Sequence, residues 1–274
     1  MLASAGATAI AADATLFEPN HPLVVRRNIL LDRWPKRLDG FTIAVLSDFH
    51  YDPRFSIHPI HSAVAIVNRL APDLIALTGD FVSIPFSATR NRVAASMAEP
   101  CAEILSGMSA RYGVWAVMGN HDCETDRGIV TSALQGQGIR VLANQAVAIE
   151  HDGARFWLAG VNDVLSGTAD PGFVLDQVPG DEAVVLLAHE PDFADSVAHF
   201  PIDLQLSGHS HGGQVRFPVV GPIFLPDLGQ KYVRGYYRVG KMTLYVNVGL
   251  GTVGLPVRWN CPPEITLLTV RAAR

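Results

Sequence analysis

Short apolar runs alternate with longer stretches of helical period along most of this chain, and the alternation begins at about Leu23. Val24 to Leu31 (VVRRNILL) predicts a strand, and Phe41 to Leu46 (FTIAVL) a buried one. Pro59 to Leu70 places Ile60, Val64, Val67 and Leu70 at the spacing of one helix face. Leu74 to Leu77 predicts a short strand, and Arg92 to Met108 a helix kinked or broken by Pro100. Val114 to Met118 follows as a strand and Gly128 to Leu134 as a helix. Ala146 to Glu150 and Arg155 to Ala159 flank His151-Asp152-Gly153, which predicts a hairpin turning on Asp-Gly. Ala183 to Ala188 and Asp203 to Leu206 predict strands, Tyr232 to Val239 with Met242 to Val248 a second hairpin, and Glu264 to Val270 a last strand. Helices between strands in the first half favour parallel units, while hairpins in the second half favour antiparallel pairs. A mixed-sheet α/β sandwich holds both. No linker-like stretch divides it, so the pattern predicts one domain over 23–274 behind a tail at 1–22.

Composition narrows this. Hydrophobic residues make up 49% of the 274, and charged residues only 17%, which excludes intrinsic disorder and leaves ample material for a core. A formal net charge of −5 argues against a general nucleic-acid binder. Cys101, Cys123 and Cys261 form no CxxC pair, which argues against a disulfide scaffold or a thiolate zinc site, though one bridge stays open. Met1 to Ala12 (MLASAGATAIAA) is too short to span a bilayer. It is similar to the apolar part of a secretion signal without the basic region, or else is a small-residue tail or modest helix. The expectation is an exported or membrane-associated protein, with a cytoplasmic one as the alternative.

Candidate chemistry collects where strands end. Phe41 to Leu46 leads into Ser47-Asp48-Phe49-His50, Leu74 to Leu77 into Thr78-Gly79-Asp80, and Val114 to Met118 into Gly119-Asn120-His121-Asp122. Ala183 to Ala188 leads into His189-Glu190, and Asp203 to Leu206 into Ser207-Gly208-His209-Ser210-His211. Ligands bind at the carboxyl ends of strands in open α/β sheets, so five such ends would deliver these side chains to one place. Any one of them alone reads as a turn former or a satisfied histidine; five together do not. Asp48 with His50 and His209 with His211 stand two residues apart, a spacing that lets both members of a pair face one centre. Nitrogen and oxygen donors suit Mn, Fe or Zn rather than a soft-metal site. His58 and His61 lie close enough in sequence to line it.

The ordered set DxH, GD, GNHD, a lone His and GHxH resembles the calcineurin-like metallophosphoesterases. His209-Ser210-His211-Gly212-Gly213-Gln214 and Cys261-Pro262-Pro263-Glu264-Ile265 are similar to a bacterial branch of membrane-associated or exported phosphodiesterases. Tyr51-Asp52 departs from it where many relatives carry Gly, which bears on the pocket rim. The resemblance implies a four-layer αββα sandwich and a centre of two metal ions, Mn, Fe or Zn. By position, Asp48, His50, Asp80 and His211 would hold the first, and Asp80, Asn120, His189 and His209 the second. It implies hydrolysis of a phosphate ester by a metal-bridging hydroxide, with His121 at the leaving oxygen. Asp122 would orient the His121 ring or cap a helix.

The expected activity is therefore that of a phosphodiesterase. Its rivals are a nucleotide-lipid pyrophosphatase of the UDP-diacylglucosamine type, a non-catalytic metal-binding scaffold, and a mononuclear zinc hydrolase. A small-molecule or lipid-linked phosphoester is the expected partner, with peripheral membrane contact and without nucleic acid. Specificity falls to the loops Tyr51 to Ile57, Ser83 to Arg90 and Arg216 to Arg234. Within the last, Val215 to Leu225 (VRFPVVGPIFL) carries one charge, Arg216. It reads either as a core strand and turn, or as an exposed apolar surface with Phe217 and Phe224 near the metal cleft.

Overall fold

The runs Leu74–Leu77 and Val184–Leu187 are buried on both faces, which is why they are continuously apolar instead of alternating. They lie in the middle of two six-stranded sheets. The computed structural model describes residues 8–83 and 91–273. The first sheet is ordered β1 (Leu23–Leu31), β14 (Glu264–Ala272), β2 (Thr42–Leu46), β3 (Leu74–Leu77), β4 (Val114–Ala116) and β5 (Arg140–Val141). Within it β2 through β5 run parallel, β14 is antiparallel to β2, and β1 is parallel to β14. The second is ordered β12 (Gly235–Val239), β13 (Met242–Val246), β9 (Leu204–Ser207), β8 (Val184–Leu187), β7 (Ala154–Gly160) and β6 (Gln145–His151).

Alternation along β2 sorts its side chains between two layers. Ile43 and Val45 pack inward with Leu158, Val185, Leu187 and Leu206 of the other sheet. Ala44 and Leu46 pack outward, beneath α2 (Ile57–Leu70), α4 (Ala98–Leu105) and α5 (Asn120–Gly136). On the far side α6 (Pro171–Leu175) and α7 (Ala194–Val197) cover the second sheet through Val174, Ala194 and Val197. Two mixed sheets flanked by helices result, the predicted four-layer architecture. The Asp-Gly hairpin is also as predicted, with Asp152 (φ 49°) and Gly153 (φ 72°) both left-handed. The three cysteines are free, and among the described residues no helix is long and apolar enough to cross a membrane.

Both predicted hairpins pair antiparallel, β6 with β7 and β12 with β13, at the two edges of the second sheet, while β7, β8, β9 and β13 between them run parallel. The hairpins were visible, but the short crossovers through α6 and α7 have too few turns to show a period. The helix predicted over Gly128 to Leu134 is the second segment of α5, which follows a non-helical Asp126 whose carboxylate accepts from Ile129 N–H. The first segment, from Asn120, was missed because its polar turn carries no apolar stripe. The break expected from Pro100 within 92–108 is present, and the stretch forms two helices, α3 (Asn91–Ala95) and α4. A proline ring excludes the carbonyl four residues before it, so the break falls near Ser96.

At the N-terminus α1 (8–12) continues through the wider turn Asp13–Phe17 and the tighter turn Glu18–Asn20. This segment docks on 258–261: Arg258 N–H donates to the Ala14 carbonyl, and the Glu18 carboxylate accepts from Asn260 and Cys261 N–H. Residues 1–7 of the predicted tail and 84–90 of the predicted specificity loop lie outside the described residues.

Candidate metal centre

Strands β2, β3, β4, β8 and β9 end on the same side of the sandwich, and their following loops are tied to one another by backbone bonds. Asp48 N–H donates to Gly79 O, His50 N–H to Asp80 O, and Gly208 N–H to His189 O. Across the two sheets His209 N–H donates to both oxygens of Asp48, at 3.1 and 3.0 Å. Five of the predicted ligands sit in the left-handed region without being glycine: Asp48 (φ 51°), His50 (φ 40°), Asp80 (φ 57°), His209 (φ 68°) and His211 (φ 51°). Such residues cost roughly 1 kcal/mol or more each and persist where the surroundings over-determine them. Here the cross-tied loops do so. Glycine is required where these loops meet the carboxylates. A Cβ on Gly208 would overlap Ser47 and Asp48, and one on Gly119 would overlap the Asp80 carboxylate.

Three sets of donors converge within 4.8 Å: Asp48, His50 and His211; His50, Asp80 and His121; Asp80, His189 and His209. His50 belongs to the first and second sets, and Asp80 to the second and third. Its Oδ2 lies 3.5 Å from His50 Nε2 and 3.3 Å from His189 Nε2. On one side His211 Nε2 is 3.2 Å from Asp48 Oδ1 and 2.9 Å from His50 Nε2. On the other, outer hydrogen bonds fix how the rings present themselves. His189 Nδ1–H donates to the Thr78 carbonyl at 2.6 Å, which leaves Nε2 facing Asp80. His209 Nε2–H donates to the Asp227 carbonyl at 2.7 Å, which leaves Nδ1 as its ligand atom.

The electrostatics fit a cation-binding site. Burial opposes ionisation of Asp48 and Asp80, yet nearby imidazoles outweigh it and hold both carboxyls below the usual range. Burial likewise opposes charge on His189, but the Asp80 and Asp48 carboxylates push its pKa well up. Burial and the neighbouring His121 hold His50 well down, and burial with His189 takes His209 to about 4. Two buried carboxylates held ionised, beside His50 and His209 held in their neutral form, favour positive charge between them. Buried polar atoms are almost always partnered, and the orphans here include Asn120 Oδ1 and His189 Nε2, both predicted ligand atoms. The residues present therefore suit a pair of divalent cations.

His121 differs from the other site histidines. Its ring is half-buried while theirs are buried, and it packs edge-on to His50 at 4.7 Å between centroids. For Asp122 the capping alternative is the observed one. Its carboxylate accepts from Gly119, Asp80, Phe81 and Val82 N–H at 2.8 to 3.2 Å, which ties the second and third motif loops together. Burial and the adjacent Asp80 charge raise this carboxyl to about 7. Asp122→Asn replaces an acceptor oxygen by a donor facing N–H groups and should cost roughly 2–3 kcal/mol. A thermal melt should show this as a Tm lowered by about 5 °C or more; an unchanged Tm would reject the role.

Other expected residues are placed differently. His58 and His61 are exposed on α2 and join none of the converging sets. Tyr51 is not at a rim: it is buried in the outer core and bridges to Val82, while Asp52 caps the following turn by accepting from Arg54 and Phe55 N–H. A sixth loop was missed. Residues 247–251 follow β13 and lean on the first motif, with Leu250 N–H donating to Ser47 O and Gly251 N–H to Asp48 O. Behind it the fully buried Arg258 donates to the carbonyls of Val248, Gly251 and Cys261. The sequence signal was Asn247-Val248-Gly249 closing an apolar run, the same pattern as the other five ends but without a ligand side chain.

A family model described as calcineurin-like phosphoesterase matches residues 41–213, the span that holds every one of these ligand candidates. The chain is 32% identical to the uncharacterized metallophosphoesterase YkuE of Bacillus subtilis over 262 residues, covering 94% of this chain and 89% of that one. It is 35% identical to the phosphodiesterase YaeI of Escherichia coli over 238 residues, covering 83% and 81%. Among solved structures, the NAD nucleotidase of Haemophilus influenzae shares the fold with a TM-score of 0.52 at 13% identity, over 77% of this chain and 45% of that one. The chain thus spans less than half the length of that nucleotidase.

Proposed function

This chain belongs to the calcineurin-like phosphoesterase family, enzymes that hydrolyse phosphate esters, and from that premise we propose that it cleaves phosphodiesters at a centre of two divalent cations. The observation that carries the proposal is the placement of Asp80, one of whose oxygens lies within 3.5 Å of His50 on one side and 3.3 Å of His189 on the other. A carboxylate in that position can bridge two ions that would otherwise repel each other. Asp48, His50, Asp80 and His211 would hold one ion, and Asp80, Asn120, His189 and His209 the other. Such ions, when bound, supply Lewis acidity toward the phosphoryl oxygens and lower the pKa of water.

The chain's own groups do the rest. Asp48 and Asp80 hold the ligand sets in register through backbone bonds from His209 and His121. His121, half-exposed beside His50, stands where a leaving oxygen needs a proton or a compensating charge. The serine hydroxyls inside the motif loops do not favour a covalent intermediate: Ser47 and Ser210 are buried, and Ser210 donates to the Val233 carbonyl. The phosphodiester preference rests on the likeness to YaeI, which is named for that activity.

Stripped protein reloaded with Mn, Fe or Zn should bind two ions per chain and turn over a soluble diester faster than the matching monoester. A content near one ion per chain, or a monoester preference, would overturn the proposal.

A further inference from the structure

Val215 to Leu225 is not a core strand. It forms a small ribbon of β10 (Arg216–Phe217) paired with β11 (Gly221–Pro222), in a two-stranded sheet separate from the two large ones. Val219 is fully exposed, and Val220, Ile223 and Phe224 are 76%, 74% and 73% exposed. Exposed apolar side chains scattered singly need no explanation, but four on one ten-residue uncharged stretch do. From Phe217 to Pro226 the chain carries no charge at all.

The ribbon is attached to the motif loop that bears His211. Pro222 lies against Gly213, and the Arg216 guanidinium donates to the Gly212 carbonyl. Its other support is the segment 258–261, where Val215 bridges to Trp259 and Phe217 packs edge-on to that indole. The same segment receives the N-terminal helical stretch, whose Leu16 and Phe17 are exposed. Leu255, also exposed, accepts from the Gln214 amide.

We propose that this ribbon is a membrane anchor that seats the domain on a bilayer of anionic lipids with the metal centre beside the surface. Three observations favour lipid over a protein partner. The apolar side chains of the tip are almost wholly exposed, Val219 completely and Val220, Ile223 and Phe224 above 70%, so a protein partner would have to supply a socket around them and a bilayer would not. Pro218, Pro222 and Pro226 have no N–H to desolvate, and the Val220 N–H donates to Pro218 O, so the tip presents few backbone donors for its length. Finally, the base is cationic. Arg234 is exposed and makes no ion pair among the described residues. Burial and then the nearby charge of Arg234 hold the Arg216 guanidinium below its ordinary pKa, which places two like charges together beside the apolar tip. Apolar insertion with adjacent guanidinium groups is the combination that anionic headgroups reward. The anchor stands independently of the phosphodiesterase reading.

Co-flotation with phosphatidylcholine vesicles, with and without phosphatidylglycerol, tests it. The full chain should float with the anionic vesicles and be released by salt. The double variant Ile223→Ser, Phe224→Ser should lose binding by roughly tenfold or more while keeping the wild-type melting curve, since both side chains are exposed. Arg234→Glu should remove the preference for phosphatidylglycerol. Wild-type chain that stays with the unbound fraction overturns the proposal, as does a double variant that floats like wild type. So does a chain that sediments as a dimer and is made monomeric by the double variant, because the face would then belong to a second copy.

Discussion

Asp80→Asn should remove nearly all turnover and lower metal content together. The substitution preserves shape almost completely and deletes one negative charge at the oxygen that lies between His50 and His189. Every other proposed ligand serves one side of the centre, so only this change weakens both. The loss in turnover should exceed the roughly 10–100-fold that removal of an outer partner of a ligand costs, because a ligand itself is lost. The variant should still fold, since the backbone bonds that tie its loop use the Asp80 N–H and carbonyl. Metal analysis of the purified variant beside its steady-state rate makes the check. Two ions per chain with near wild-type activity would show that Asp80 is not the bridge.

The same residue shows how much of the centre was legible in the sequence. A strand that ends in Thr78-Gly79-Asp80 can be read from residues alone, because buried parallel strands are continuous apolar runs and the switch to polar residues is abrupt. Five such switches marked the candidate ligands, and the structure brings those with His or Asp side chains into sets whose donor atoms lie within 4.8 Å of one another. What could not be read is how they are held. The left-handed φ values of Asp48, His50, Asp80, His209 and His211 leave no mark in composition, since only glycine advertises that region. Nor does the bond pattern of Asp122, which joins the helix it caps to a loop some forty residues away in sequence. The hydrophobic ribbon at 216–222 was ambiguous for a different reason. Apolar content reports what a segment prefers to bury, not whether the fold supplies a place for it.

Fold and site share a division of labour. The inner and outer cores fix where the strand ends fall, and those cores are set by alternation along β2 and by full burial of β3, β8 and β9. The strained ligand conformations depend in turn on cross-sheet bonds, such as His209 N–H to Asp48 and Leu250 N–H to Ser47 O. A cavity made deep between the sheets, for instance at Leu187 or Leu206, is therefore expected to loosen the centre as well as to destabilise the domain.

His121→Ala should separate chemistry from metal binding. The ring is half-exposed, whereas the buried histidines beside it are aimed at the two carboxylates. Its backbone N–H, which donates to Asp80 Oδ1 at 3.0 Å, survives the substitution, so the bridge keeps that support. Metal content should stay near two per chain. Turnover of an alkyl diester should fall by the 10²–10⁴-fold typical of a lost general acid. For an ester with a strongly acidic leaving group the fall should be much smaller, because a stable anion departs without a proton. The rate plotted against leaving-group pKa should consequently be steeper in the variant than in the wild type. That slope is a readout that a merely structural role would not move. Equal losses across the series would place His121 outside proton transfer, and a loss of one ion per chain would instead make it a ligand, completing the set it forms with His50 and Asp80.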